Sequence, residues 1–376
     1  MLWSQGPFID LIIRSGVSRY LEFKCMEQLL MPVGGVLQQV PCSKADVFQS
    51  KNISLKEKRQ LMKFLQSVAL PTAEDSAEFE KLSETPFVAF LTSRGITTNL
   101  IEFITYAISL IDPDQSSQSD QVSLKTGLEK MKTFMSSLGR YGNTPFLTSL
   151  YGTSEITQAF CRLAAVFGAT YVLDRSVSKV IFEDGQYKGV VDSTGLMISS
   201  PLIISNTDHL NPLTTHHTKN ISRAICITDK SISTDTDLVI VRVPPSAEMN
   251  IKNAITILQL NSSTNNCPAG KFLVHFTTKA SATAQQDLEL VVRSFFNHKD
   301  DTEKAENKPN LLWNCYFNIA SRVPQPGLPQ NVIICSDPEE MFGCEEVLAK
   351  AEEIFKKVYP DEVFISPVPH PEDIIY

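Results

Sequence analysis

LGRYGNTPFLTSLYGTSEITQAFCRLAAVFGATYV, residues Leu138–Val172, divides the chain into two kinds of sequence. Gly139, Gly142 and Pro145 favour a tight approach to the next element, because glycine has no side chain to clash and proline fixes its own φ. Tyr151-Gly152 turns the chain into a helix over Glu155–Phe167 with apolar positions at Phe160, Leu163, Ala164 and Phe167. Glu155 falls in the first turn, where the helix dipole favours an acid. Glu155, Gln158 and Arg162 sit at i, i+3 and i+7, so they share one face, opposite Phe160 and Leu163. The result is a helix with a polar stripe open to another protein; the plainer reading is an ordinary amphipathic surface helix.

Upstream, the pattern is helical. Ser54 and Glu57 make a capping box, and the helix they open carries Leu61, Met62, Phe64, Leu65 and Val68. Further helices are expected at Leu100–Leu110 and Leu124–Leu138, with a polar loop at Gln115–Ser119, so Ser43–Leu138 reads as an all-helical module. Before it, Pro7–Ser15 reads as a short helix, and Arg19–Cys25 and Val36–Val40 as strands, the second behind a Gly34-Gly35 turn.

Downstream, strands dominate. Thr170–Leu173 reads as the start of one, and Val177–Phe182 with Tyr187–Val191 as a hairpin about Asp184-Gly185. Met197–Ser205, Asp237–Val243 and Phe272–Thr278 follow as strands, Ala282–Phe296 and Cys344–Val358 as helices, and His298–Asn310 as a solvated loop. The fold class is mixed α/β: a helical module embedded in an α/β body.

Composition excludes several functions. The 376 residues are 43% hydrophobic and 20% charged, in the globular range, and long enough for two domains. A net charge of −8 gives no electrostatic ground for nucleic acid binding. The eight cysteines contain no C-x-x-C pair, which argues against zinc and for inert thiols in a reducing compartment. Asp10 and Arg14 interrupt the opening Met1–Val17, so it reads as neither signal peptide nor membrane span, and a cytosolic protein is expected. No G-x-G-x-x-G or P-loop occurs. His216-His217 have no carboxylate or cysteine at ligand spacing and read as a solvated loop, and no nucleophile elbow surrounds them. A binding protein fits better than an enzyme.

Residues 138–172 resemble the signature block of the Rab escort protein and Rab GDP-dissociation inhibitor family. Arg140, Tyr141, Gly142, Thr144, Pro145 and Phe146 match its first half. Leu150, Tyr151, Gly152, Glu155, Gln158, Phe160 and Arg162 match its second, while Ser154 and Thr157 stand where glycine and proline are usual. Ser4–Lys24, Val40–Leu65, Ser222–Ile232 and Val368–Ile375 look like escort-protein sequence and favour the escort branch.

The resemblance implies a body like that of FAD-dependent monooxygenases, without flavin, over residues 1–42 and 141–376, with a helical domain at 43–140 inserted into it. The chain is expected to begin inside the family's first domain, without its first strand–turn–helix unit. It implies a Rab-binding platform at Tyr151, Glu155, Gln158, Arg162 and Val172, the last where a larger apolar residue is usual. It further places Phe134 and Arg140 on a face toward the Rab geranylgeranyltransferase α/β heterodimer, although Phe134 reads equally well as core. Leu61, Phe64 and Leu65 would be core first and geranylgeranyl-pocket lining second. No catalytic residue, cofactor or metal is implied. The implied function is escort of GDP-bound Rab to the transferase and delivery of the prenylated product to membranes. A Rab GDP-dissociation inhibitor and a flavin-dependent oxidoreductase of the same fold are the alternatives.

Overall fold

The structure, a computed structural model, describes residues 1–41, 47, 53–112, 122–206, 214–324, 326–335, 337 and 343–366, with the side chains of 214–219 and 323–324 outside that description. Cys42, Gln115–Ser119, His209, the closing Val368–Ile375 and the His216 and His217 side chains therefore lie outside the described parts.

The chain opens with β1 (Leu2–Trp3), α1 (Pro7–Arg14), a 3₁₀ turn at Val17–Tyr20, β2 (Phe23–Cys25), β3 (Gln28–Val33) and β4 (Val36–Gln39). Helices follow: α2 (Leu55–Ala69), α3 (Ala73–Lys81), α4 (Phe87–Ser93), α5 (Thr98–Glu102), which runs into a π-helix at Phe103–Ile108, and α6 (Leu124–Ser137). Then come β5 (Phe146–Ser149), α7 (Ser154–Val166), β6 (Val177–Glu183), β7 (Gln186–Asp192), β8 (Met197–Ser199) and β9 (Ile203–Ser205). The rest comprises β10 (Thr214–Thr228), β11 (Val239–Val243), β12 (Ile255–Leu260), β13 (Phe272–Lys279), α8 (Ala284–Phe295), β14 (Leu311–Pro324), β15 (Val332–Ile334) and α9 (Glu345–Val358).

Local signals set several of these ends. The Ser54 hydroxyl accepts from the Glu57 amide, and the Glu57 carboxylate accepts from the Ser54 amide at 3.0 Å, so the expected capping box starts α2. Thr72/Asp75 and Thr283/Gln286 start α3 and α8 in the same way.

A seven-stranded sheet in the order β14-β10-β13-β12-β11-β3-β4 forms the body. One face packs on α8 through Cys226, Val239, Ile257, Val274 and Phe276 against Leu288, Val291 and Val292. On the other face, Leu29, Met31, Ile240 and Leu260 join Leu61, Phe64, Phe90, Ile104, Leu128, Met131 and Phe134 in one cluster. The helical module thus shares a continuous core with the sheet.

Four sequence expectations need correction. Arg19–Cys25 is a 3₁₀ turn followed by three strand residues, since the turn starts on Gly16 in the left-handed region. Thr170–Leu173 is irregular and exposed, with no ladder to join. Met197–Ser205 breaks at Pro201, whose missing N–H cannot join a ladder, so β8 pairs with β7 and β9 with β15. Residues 214–217 belong to β10, not to a loop.

His275 of β13 lies half-buried beside Arg223 of β10, its Nδ1 3.4 Å from the guanidinium. Burial, with Arg223 and the Met1 amino group adding to it, pushes the imidazole down to about 4. That lies below the unfolded value of about 6.5, so the unfolded chain binds more protons between the two. Stability is fully present above about pH 6.5 and should fall, by up to about 3 kcal/mol, as pH drops toward 4. Denaturant titrations near pH 4.5 and pH 7 should show a smaller difference for His275→Gln than for the parent. An equal difference would remove His275 from this role.

Candidate functional site

Leu147 in β5 pairs with Leu2 in β1 on one side and Cys25 in β2 on the other. This small sheet carries the chain into α7. Gly142 allows the close approach: a Cβ there would lie 2.6 Å from the Cys25 sulfur. The turn before α7 puts Tyr151 at φ 61° and Gly152 at φ 99°, and the Tyr151 amide donates to the Thr264 carbonyl at 2.9 Å. That bond ties the helix entry to the loop after β12.

Ile156 and Ala159 are buried and Phe160 and Leu163 half-buried, so α7 docks by that side. Gln158 and Arg162 are exposed and Glu155 half-exposed on the other. The Arg162 guanidinium stacks 4.7 Å from the centre of the Tyr20 ring, a contact that orients it while leaving its N–H groups available. Thr157, in place of proline, and Ser154, in place of glycine, both fit within or at the start of the regular helix.

The helix ends at Val166, with Gly168 in the left-handed region just beyond it, and Phe167, expected as an apolar position of the helix, is 81% exposed. Past the end, Tyr171, Val172 and Leu173 are exposed as well, Leu173 by 83%. Tyr171 shares a side-chain hydrogen bond with Cys161, which pushes its phenol up. Val166, Phe167, Tyr171, Val172 and Leu173 therefore leave an apolar ridge of exposed side chains at and beyond the end of the helix. Sequence reading missed Phe167 and Leu173. The available signal was the glycine stop, after which apolar residues have no helical face to share. Tyr151 and Val172 flank opposite ends of α7, whose 13 residues span roughly 20 Å.

The other predicted sites fall elsewhere. Leu61 and Phe64 are buried, Phe64 with its ring 6.5 Å from that of Phe90, and Leu65 is half-buried beside them. Phe134 is 1% exposed and packs edge-on against Trp3 and Phe146, so it offers no side-chain surface to a transferase; the core reading of this residue is the one its packing supports. Arg140 is exposed and lies 5.5 Å over the ring of Tyr141, itself exposed. Among the described residues, no group of three or more His, Cys, Asp and Glu side chains could hold a metal ion, and no helix is long and apolar enough to cross a membrane.

A family model described as GDP dissociation inhibitor matches residues 1–308. The Rab proteins geranylgeranyltransferase component A 2 of Mus musculus is 41% identical over all of this chain and 61% of its own length. The chain spans about three fifths of the length of the first such curated relatives. Among solved structures, the Rab GDI of Plasmodium falciparum aligns with a TM-score of 0.78 at 18% identity, covering 96% of this chain and 82% of that one. An oxidoreductase from Methanosarcina mazei aligns with a TM-score of 0.58 at 14% identity, covering 94% and 86%. These two likenesses establish a shared fold.

Proposed function

Because this chain belongs to the GDP dissociation inhibitor family, we propose that it is a non-catalytic escort for Rab GTPases, which it binds in the GDP form through the exposed face of α7. The observation that carries this reading is the pairing on one surface of a polar stripe, Glu155, Gln158 and Arg162, with the apolar ridge from Val166 to Leu173. Tyr151 and Val172 bound the platform at its two ends. Charged groups of this kind set register and partner choice, and buried apolar contacts supply affinity.

The escort role extends to presenting Rab to the Rab geranylgeranyltransferase heterodimer, with the exposed Arg140 as a contact, and to delivering the prenylated product to membranes from the cytosol. The likeness to the mouse relative, a Rab geranylgeranyltransferase component A, supports this branch over the recycling inhibitor. In this reading residues 43–140 act as an inserted domain that receives the geranylgeranyl chain. Each methylene buried is worth about 0.8 kcal/mol. Leu61, Phe64 and Leu65 line the slot only if the helices around them separate, since the first two are closed in the core here.

The test is titration calorimetry of the 376-residue chain with a GDP-loaded Rab. Binding is expected, and Arg162→Glu should weaken it at least about tenfold, the scale of a lost charge contact at an interface. Thermal melting should stay near that of the parent, because the position is exposed. Absent binding, or equal affinity of the variant, would overturn the platform. Adding the transferase and a geranylgeranyl donor separates the branches: an escort supports prenylation, whereas an inhibitor does not.

A further inference from the structure

Arg162 is the cation of α7, and it stands exposed on the polar stripe. Among the described residues its guanidinium makes no hydrogen bond or ion pair; what holds it is a ring. Tyr20 closes the 3₁₀ turn Val17–Tyr20, and the guanidinium lies 4.7 Å from the centre of its ring. The turn is built without help from Arg162. Gly16 enters it at φ 73°, the Ser15 hydroxyl accepts from the Val17 amide at 3.4 Å, and the Val17 side chain is buried. Beyond it, Phe23 and Cys25 of β2 pair with Ser149 and Leu147 of β5, and the Leu150 amide donates to the Glu22 carbonyl at 3.0 Å. Because β5 leads into α7, one small sheet fixes both the ring and the helix that carries the guanidinium.

An exposed arginine samples many rotamers, and a partner that must choose one of them loses affinity by the entropy of that choice. A side chain already held in the binding orientation avoids the loss. An aromatic face suits this task, since it attracts the cation through the ring quadrupole and leaves the N–H donors unoccupied. A carboxylate in the same place would take those donors for itself. Tyr20 is itself 37% exposed, so the stack lies at the solvent surface, on the side of α7 that carries Gln158 one turn away.

We propose that Tyr20 is a positioning residue of the Rab-binding surface: its ring holds the Arg162 guanidinium in the orientation that meets the GTPase, and it acts through Arg162 rather than through a contact of its own. Tyr20 has this role only if α7 is the Rab-binding surface, so its effect is measured both with and without Arg162.

Titration calorimetry of the intact 376-residue chain with GDP-loaded Rab compares the parent with Tyr20→Leu, Tyr20→Phe, Arg162→Ala and the double variant Tyr20→Leu/Arg162→Ala. Tyr20→Leu should weaken binding about three- to tenfold, the scale of a lost cation–π contact together with an arginine that must be ordered at binding. Tyr20→Phe keeps the ring face and should bind within about twofold of the parent. With Arg162 already alanine, Tyr20→Leu should change nothing further, because no guanidinium is left to hold. An equal loss in that background, or with Tyr20→Phe, would make Tyr20 a contact in its own right and overturn the proposal. If Arg162→Ala weakens binding and Tyr20→Leu does not, the platform stands and the positioning role falls; if neither weakens it, both fall. Circular dichroism and melting check that each variant folds, with Tyr20→Met in reserve for Tyr20→Leu. A second readout needs no Rab. Nitrogen-15 relaxation in the free chain should show the Arg162 Nε–H bond ordered in the parent and in Tyr20→Phe, and mobile in Tyr20→Leu. A mobile Arg162 in the parent would overturn the proposal by itself.

Discussion

Phe134→Ala is expected to destabilise the chain by about 3–5 kcal/mol, the usual cost of emptying a phenylalanine site in a packed core. Phe134 lies in the last turn of α6, 1% exposed, with its ring 6.4 Å from Trp3 and 6.2 Å from Phe146, both near-perpendicular. Trp3 and Phe146 pair across β1 and β5, so this one side chain fastens the helical module to the strands that lead into α7. The loss therefore combines apolar burial, edge-to-face aromatic contact and a cavity that backbone on three elements cannot close. Urea titration followed by far-ultraviolet circular dichroism measures it, and near-ultraviolet dichroism should show Trp3 losing its fixed environment. A loss under about 1 kcal/mol would mean that the ring is peripheral to the core and would return it to the surface role the sequence also allowed.

Arg242→Leu should cost a comparable amount, about 3–5 kcal/mol, by a different route. Arg242 of β11 is 5% exposed, donates from Nε to the Tyr106 carbonyl at 3.0 Å and from Nη1 to Thr256, and lies in the field of Asp112. Burial pushes its guanidinium down to about 10, which still leaves it charged at neutral pH. Tyr106 belongs to the π-helix, so a strand of the body holds a main-chain carbonyl of the module in place. Leucine fills most of the volume but leaves the Tyr106 carbonyl without its donor and the Asp112 carboxylate, which keeps the Ala254 amide, without the nearby guanidinium charge, and these losses carry most of the expected cost. Hydrogen exchange should quicken first at Phe103–Ile108 and only then in the sheet. The double variant Arg242→Leu/Asp112→Asn should recover part of the loss. Equal stability of the single variant and the parent would show that the apolar isostere suffices there.

What the sequence determined by itself was whatever depends on residues within about four positions of one another. Ser54 and Glu57 cap α2 because the two bonds close over three residues. Glu155, Gln158 and Arg162 share a face of α7 because 3.6 residues make a turn, and Tyr151-Gly152 bends into that helix because glycine takes the positive φ freely. The signature around them was readable as a family resemblance for the same reason, since its residues are contiguous.

Only the tertiary structure decided which strands pair and which side chains are covered. Gln28–Val33, Ile255–Leu260 and Leu311–Pro324 went unread as strands, because short apolar runs without a strict alternation suit a buried helix as well. They become strands by joining partners outside their own segment, as Leu29 does with Ile240, Ile257 with Val241 and Phe276, and Phe317 with Arg223. Phe134 becomes core because Trp3 and Phe146 arrive beside it, and Phe167 stays exposed because nothing packs over the end of α7. The unpaired Nε of Arg223 is visible only once Thr277 and Phe317 stand on either side of it, since a side chain's burial and its want of a partner are properties of the folded neighbourhood, not of its place in the chain.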